Sequence, residues 1–433
     1  MTPAARLSAA IDVLADIGAR RRPAADALKD WGLSHRFAGS GDRAAIAGLV
    51  YDALRRKASA AFVMGDDTPR AVVLGMLRLE RNHDTAAIAG LAGNGRFAPA
   101  PLTAGERARL DTASLADAPP WIAGDYPEWL DGEFARTFGE QRAAEGAALA
   151  SRAPLDLRVN TLKATREEAA EALAHLTPTP TRWSPHGLRI VLAADARSPA
   201  IHAEPAFIKG LVEVQDEGSQ LAALLADARA GEQVIDLCAG AGGKTLAMAA
   251  AMQGKGQLYA TDLDKRRLAP THARIERAGA RNVQIRTPRG GGDVLADLEG
   301  RADLVLIDAP CTGTGSWRRN PDAKWRVRPG ALDLRRKEQA ALLDRAATLV
   351  RPGGRIAYVT CSVVAAENGD QIRAFLQRHP GCHAIPPGDV TAALGERAFL
   401  FRRAVLSSAE GLLMTPRRTD TDGFYVAVLR RAA

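Results

Sequence analysis

From about Val214 onward, short apolar runs alternate with helical stretches, and nothing else in the chain constrains its fold as much. The runs are Gln233–Leu237, Gln257–Thr261, Val283–Arg286, Leu304–Ile307, Arg355–Thr360 and Tyr425–Leu429. Parallel strands are covered on both faces, so they read as continuous apolar segments. Strands separated by helices build βαβ units. The expected architecture is an α/β, Rossmann-like, doubly wound sheet over residues 213–433. The last strand follows Asp422-Gly423-Phe424 and is expected to enter as an antiparallel edge hairpin.

Open α/β sheets bind ligands at the carboxyl ends of their strands. The run Leu304–Ile307 leads into Asp308-Ala309-Pro310-Cys311, and Ile356–Val359 leads into Thr360-Cys361-Ser362. The pattern therefore brings two thiols and a carboxylate to one rim. A nucleophile beside a second proton-handling group suits covalent catalysis on an electrophilic carbon. The plainer reading is that a free cysteine fills space in the core. The loop after the first strand favours the chemical one: Cys238-Ala239-Gly240-Ala241-Gly242-Gly243-Lys244 opens a helix, where free amides hold a carboxylate or phosphate. Its spacing is neither that of a P-loop nor that of a dinucleotide fingerprint. Asp262 ends the second strand, where an acid suits a ribose diol or else caps the helix starting near Lys265.

At 433 residues the chain exceeds one ordinary domain. Residues 1–95 are alanine-rich with helical periodicity (Ala45, Ile46, Leu49, Val50 and Leu54 share a face) and predict an all-α domain. A proline-marked linker and a connecting helix occupy 96–145. Residues 146–212 read as a small α+β domain, with strands at Leu155–Asn160 and Leu188–Leu192 and a helix after Thr165.

Four scattered cysteines with no CxxC or CxxxC pair argue against a disulfide framework and against a metal site. No apolar run reaches membrane-spanning length, Arg6, Asp12 and Asp16 interrupt the N-terminal segment, and the expected compartment is the cytoplasm. The formal net charge is +8, and eight basic residues stand against two acids between Arg318 and Lys337. Arg318, Arg319, Lys324 and Arg326, interleaved with Trp317 and Trp325, are the candidate contacts for a polyanion with unpaired bases. The alternatives are a solvated helix face for the charges and core positions for the tryptophans.

Three segments taken in order resemble the Sun-type RNA (cytosine-5) methyltransferases. They are Asp236–Thr245, Asp308–Arg319 with Asn320–Trp325, and Arg351-Pro352-Gly353-Gly354 through Thr360-Cys361-Ser362 to Glu367-Asn368. Val214–Gln220, Arg158–Lys163 and Asp422–Tyr425 are similar to flanking segments of that family, so the resemblance covers roughly 120–433. Gly41-Asp42-Arg43 to Tyr51–Arg55 is similar to the NusB-type helical RNA-binding domain of its bacterial members.

The resemblance implies S-adenosylmethionine as cofactor, RNA as substrate and an RNA-binding role for the small α+β domain. It implies Cys361 as nucleophile at C6 of cytosine, Cys311 in product release with general acid–base work, and Asp308 at N3. Cys238, Ala239, Gly240, Ala241, Gly242, Gly243 and Lys244 would hold the methionine end of the cofactor, Asp262 its ribose, with Asp308 nearby. Family members carry an acid after the third strand, near the adenine; here Arg286–Asp293 stands there, and Asp293 is the replacement. The loop also departs from the family, having Gly240-Ala241 in place of Ala-Pro. The bacterial branch points to 16S ribosomal RNA, with transfer RNA as the alternative and a monomer as the default. Two other readings are methyl transfer to an exocyclic amine, which wants an aromatic where Cys311 stands, and a non-catalytic RNA-binding assembly factor.

Overall fold

The apolar runs of the C-terminal half do form strands in the computed structural model, which describes residues 1–93, 95–192, 199–288 and 292–433. Two compact units emerge. One comprises Met1–Arg152 together with Trp317–Val327, and the other holds the remaining described residues.

The first unit is helical. Its first helix, Pro3–Arg20, is started by Thr2, whose hydroxyl accepts from the Ala5 amide, with proline at the first helical position. In the helix Ser40–Arg55, Ile46 and Val50 are fully buried and Leu54 nearly so, as the i, i+4, i+8 spacing requires. The proline-marked stretch is more ordered than a linker. Thr103 and Glu106 form a capping box at the start of the helix Ala104–Asp111.

The segment Trp317–Val327 lies far along the sequence yet belongs to this unit. Trp317 is 1% exposed and stacks on Phe134, ring centroids 5.9 Å apart. Lys324, also 1% exposed, donates its ammonium to the carbonyls of Arg55 (2.8 Å) and Asp125 (2.7 Å). The Trp325 indole N–H donates to the Leu54 carbonyl at 2.7 Å. This corrects the expectation that Arg318 and Lys324 present charge to a polyanion, because both are inside. Buried cations need acceptors, and Lys324 finds them in the ends of backbone segments. Arg326 pairs with Asp322 at 3.0 Å, and Arg319 is half-buried.

The second unit contains two sheets. The smaller is built from β1 (Leu155–Val159), β2 (Thr179–Pro180), β3 (Gly187–Ile190) and β4 (Val212–Val214), in the order β2-β3-β1-β4. The helix Arg166–Ala172 covers it, begun by the capping box of Thr165 and Glu168.

The larger sheet uses β5 (Gln233–Asp236), β6 (Gln257–Ala260), β7 (Val283–Ile285), β8 (Ala302–Asp308), β9 (Val350–Thr360), β10 (Cys382–Ala384), β11 (Leu406–Ser407), β12 (Leu412–Met414) and β13 (Phe424–Arg431). Its order is β11-β12-β13-β9-β8-β5-β6-β7, with β10 also on β13. Strands β5 to β9 are parallel, and the order reverses at β5, which lies between β6 and β8. The final strand is antiparallel, as expected, but it is not an edge. It pairs with β9 from Tyr425↔Thr360 to Arg430↔Arg355 and with β12 and β10 on its other side. The late strands β10 to β12, short and missed in the sequence, supply that outer cover. Val305, Ile307, Ile356 and Tyr358, all unexposed, show why the central strands read as unbroken apolar runs.

Among the described residues, no helix is long and apolar enough to cross a membrane.

Candidate active site

The switch in strand order at β5 places the carboxyl ends of β5, β6, β8 and β9 around one crevice. Each contributes through the residues just after it. Register pairs Asp308 with Val359, and the Ala309 amide donates to the Val359 carbonyl at 2.8 Å, so the loops carrying Cys311 and Cys361 leave the sheet side by side. Their sulfurs are 3.4 Å apart. The Cys311 thiol is pushed well up, first by its hydrogen bond with Cys361 and then by burial. Cys311 therefore holds its proton.

Buried polar contacts fix both loops. The Glu367 carboxylate, with no exposure, accepts from the Thr312 amide (2.8 Å), the Thr312 hydroxyl (2.5 Å) and the Gln339 amide group (3.1 Å). That same Gln339 group donates to the Pro310 carbonyl at 2.9 Å. Residues 310–312 are thus clamped from two sides. On the other loop, the Thr360 hydroxyl donates to Asn368 (2.6 Å), and Asn368 donates to the Ser362 carbonyl (2.9 Å). The Gly315 amide donates to the Cys361 carbonyl at 2.9 Å, and the Gly423 amide donates to the Gly315 carbonyl at 2.8 Å. A Cβ on Gly315 would sit 2.1 Å from the Gly423 oxygen, so this crossing of backbones admits only glycine. Glu367 and Gln339 had been given no role from the sequence. A lone acid within Val363-Val364-Ala365-Ala366-Glu367 was a usable signal, since a buried charge must be paired. Gln339, inside the long helix Pro329–Leu349, gave none.

Asp308 forms an ion pair with Lys244 at 2.8 Å, and the Lys244 ammonium lies 5.0 Å from the Phe424 ring centroid. Lys244 belongs to the glycine loop. There Gly242, with φ +83°, begins the helix Gly243–Ala251 without a side-chain cap. A Cβ on Gly242 would meet Thr271 at 2.7 Å. Asp262 is not the cap of the following helix, a place taken by Asp264; its carboxylate accepts from the amides of Gly240 and Asp264, each at 2.9 Å. Asp293 pairs with Arg345, while Arg289, Gly290 and Gly291, the rest of the run around it, lie outside the described residues. Cys238 is half-buried, and desolvation first pushes its thiol well up.

Asp236, unexposed at the end of β5, accepts from the Thr245 hydroxyl at 2.7 Å through one oxygen, while its other oxygen has no hydrogen-bond partner. Burial pushes its carboxyl up from 3.8 to about 7. A carboxyl raised on folding binds its proton more tightly in the native chain. Its stabilising contribution is therefore full below pH 3.8, declines as pH rises, and is gone above about 7. Relative to an Asp236→Asn protein, the wild type is expected to lose about 1.4 kcal/mol of stability per pH unit within that window and nothing further above it. Urea unfolding of both proteins at pH 5, 6, 7 and 8 checks this. A stability gap that is flat from 5 to 8 contradicts it.

A model of the 16S rRNA methyltransferase RsmB/F family matches residues 223–430, and one of the RsmF/B-like ferredoxin-like domain matches 126–197. A protein named probable ribosomal RNA small subunit methyltransferase B from Synechocystis is 31% identical over 97% of this chain and 98% of its own length. The chain belongs to the 16S rRNA methyltransferase RsmB/F family. The ribosomal RNA small subunit methyltransferase B of Citrobacter koseri is 35% identical over 70% of this chain and 66% of its own length. Among solved structures, that of PH0851 covers all of the chain and 99% of its own, at TM-score 0.71 and 25% identity. The structure of NSun6 from Pyrococcus horikoshii with SFG covers 71% of the chain and 98% of its own, at TM-score 0.59 and 21% identity, and so shares the fold.

Members of this family are S-adenosylmethionine-dependent RNA methyltransferases, and so is this chain. The crevice fits that cofactor. The uncapped amides at Gly242–Lys244 suit a carboxylate, and the close pack of Gly242 on Thr271 leaves the loop no side chain to obstruct it. Asp262 at the end of β6 suits a diol.

Proposed function

We propose that the protein methylates C5 of a cytosine in 16S ribosomal RNA through a covalent bond between Cys361 and C6. The observation that carries this reading is the pair of sulfurs 3.4 Å apart at the carboxyl ends of β8 and β9. A nucleophilic sulfur with a second thiol beside it suits an adduct that must form and then break. The names of the relatives support ribosomal RNA as the substrate.

C5 of cytosine is a weak nucleophile. Addition of the Cys361 sulfur to C6 converts the ring to an enamine whose C5 can attack an electrophilic methyl group. The Asp308 carboxylate, held by Lys244, stabilises a proton at N3 and so favours that addition. S-adenosylmethionine, when bound, supplies the methyl group. Loss of the C5 proton then lets the C6–S bond break, returning the electron pair to Cys361. Cys311, beside the leaving sulfur, handles protons in that step. Cys238–Lys244 would hold the amino-acid end of the cofactor and Asp262 its ribose. Asp308, Lys244 and Glu367 together fix the reacting groups, which lowers the entropic part of the barrier. The target base must be unpaired or flipped out to reach the crevice. Exocyclic amine transfer has no use for two thiols in contact.

Bisulfite sequencing of ribosomal and transfer RNA from cells with and without the protein tests this. One or a few cytosines of 16S RNA are expected to lose protection in its absence. Unchanged 5-methylcytosine in 16S RNA, or a change confined to transfer RNA, contradicts the assignment.

A further inference from the structure

The glycine loop assigned to the amino-acid end of the cofactor does little to hold its own shape. Between β5 and the helix Gly243–Ala251 it reads Cys238-Ala239-Gly240-Ala241-Gly242, with no proline to fix a dihedral. Gly240 and Gly242 stand on either side of Ala241, both at positive φ, +51° and +83°. Glycine loses more conformational freedom on folding than any other residue. A ligand that must order such a loop binds more weakly than one that meets it already ordered.

One neighbouring helix supplies that order. In Thr271–Ala278, beyond β6, the Thr271 hydroxyl donates to the Gly240 carbonyl at 3.0 Å. Arg274, three residues on and so on the same face, donates Nη1 to the Ala241 carbonyl at 2.6 Å. Each carbonyl belongs to a planar peptide unit. The two bonds therefore set the Gly240–Ala241 and Ala241–Gly242 planes, the two units that lie between the positive-φ glycines.

Arg274 is itself held. Its Nη2 pairs with Glu213 at 2.9 Å. Glu213, 2% exposed, lies on β4 of the smaller sheet, opposite Arg158 of β1. The other Glu213 oxygen takes Arg277, one turn further along the same helix. The guanidinium of Arg274 thus spans a fixed carboxylate and the loop, one nitrogen to each, as a planar fork can. Arg277 makes the same kind of ion pair, but its guanidinium lies over the Phe207 ring, 3.9 Å from the centroid.

We propose that Arg274, oriented by Glu213, is a positioning residue for the cofactor. It holds the Ala241 carbonyl, and with it the glycine loop, in the shape that receives the amino-acid end of S-adenosylmethionine. Through Glu213 the smaller sheet takes part in shaping that loop. This rests on the reading of Cys238–Lys244 as the cofactor loop.

Calorimetry with S-adenosylmethionine and S-adenosylhomocysteine on full-length wild type, Arg274→Ala, Arg274→Lys and Arg277→Ala tests this, with urea midpoints measured beside it. Arg274→Ala is expected to bind either ligand about fivefold more weakly. Its KM for the cofactor should rise by about the same factor, with kcat at saturating cofactor within about twofold of wild type, because the loop loses order while the reacting groups stay. Arg277→Ala takes an equivalent partner from Glu213 and is expected to leave cofactor affinity unchanged. Arg274→Lys keeps a cation beside Glu213, and so the fold, but offers one nitrogen where the fork offers two; binding about two- to threefold weaker is expected. A folded Arg274→Ala protein with wild-type affinity overturns this inference alone. If Arg274→Ala does not fold, wild-type affinity in Arg274→Lys overturns it in the same way. Equal weakening by Arg277→Ala overturns it too, since the effect then belongs to the helix as a whole. A wild type that binds neither ligand overturns the underlying reading of the loop.

Discussion

Replacing Cys361 with serine is expected to lower methyl transfer by roughly 10⁴-fold or more, with cofactor affinity unchanged. An alcohol at this position is far less acidic than a thiol and cannot supply the nucleophile near neutral pH. Cys311→Ser should behave differently. The bond to C6 would still form, since Cys361 and its clamp remain, but its breakage would be slowed. A complex of protein and RNA that survives denaturing electrophoresis is therefore expected with Cys311→Ser and absent with Cys361→Ser. The 3.4 Å between the sulfurs makes the comparison sharp, because each substitution leaves the other thiol in place. A stable complex with Cys361→Ser and none with Cys311→Ser would exchange the two roles.

Lys324→Ala is expected to destabilise the helical unit by about 3–5 kcal/mol, seen as a lower urea midpoint for that unit. The ammonium is wholly enclosed, and its pKa is pushed down to about 7 by burial, with Asp125 opposing and Arg55 and Arg56 adding to the fall. Its removal strands the carbonyls of Arg55 and Asp125. It also takes a counter-charge from the Asp125 carboxylate, which is 1% exposed and is otherwise held by the amides of Ala58 and Ser59 at 3.0 Å and the Ser59 hydroxyl at 2.7 Å. Arg56, at 3.6 Å, is a weaker substitute. Were Lys324 an RNA contact, the variant would instead keep its stability and bind RNA with a shallower salt dependence.

The two substitutions mark where sequence reasoning succeeds and where it stops. Strands β5 to β9 were legible because a strand buried on both faces leaves an apolar run, and their carboxyl ends follow from the right-handed βαβ rule. That was enough to bring Cys311 and Cys361 together, and Thr165 announced its helix through Glu168. The strands β10 to β12 are two or three residues long and leave no period to detect. Their absence from the prediction made β13 look like an edge. The basic run at 318–337 misled for another reason. Charge is read locally in a sequence, whereas the Lys324 ammonium is met by the backbone carbonyls of Arg55 and Asp125, more than 190 residues earlier. Gln339 and the Lys244–Asp308 pair are likewise long-range facts, invisible to spacing.

The position of β13 has a consequence for the timing of protein synthesis. The backbone of Gly423 braces Gly315, the ring of Phe424 lies against the Lys244 ammonium, and Tyr425 to Arg430 pair with Arg355–Thr360 of β9. These residues leave the ribosome about sixty positions after Cys361. A nascent chain that already carries both thiols therefore lacks the strand that fixes them. Until those last residues emerge, Gly315 has no brace and β9 has only β8 to pair with.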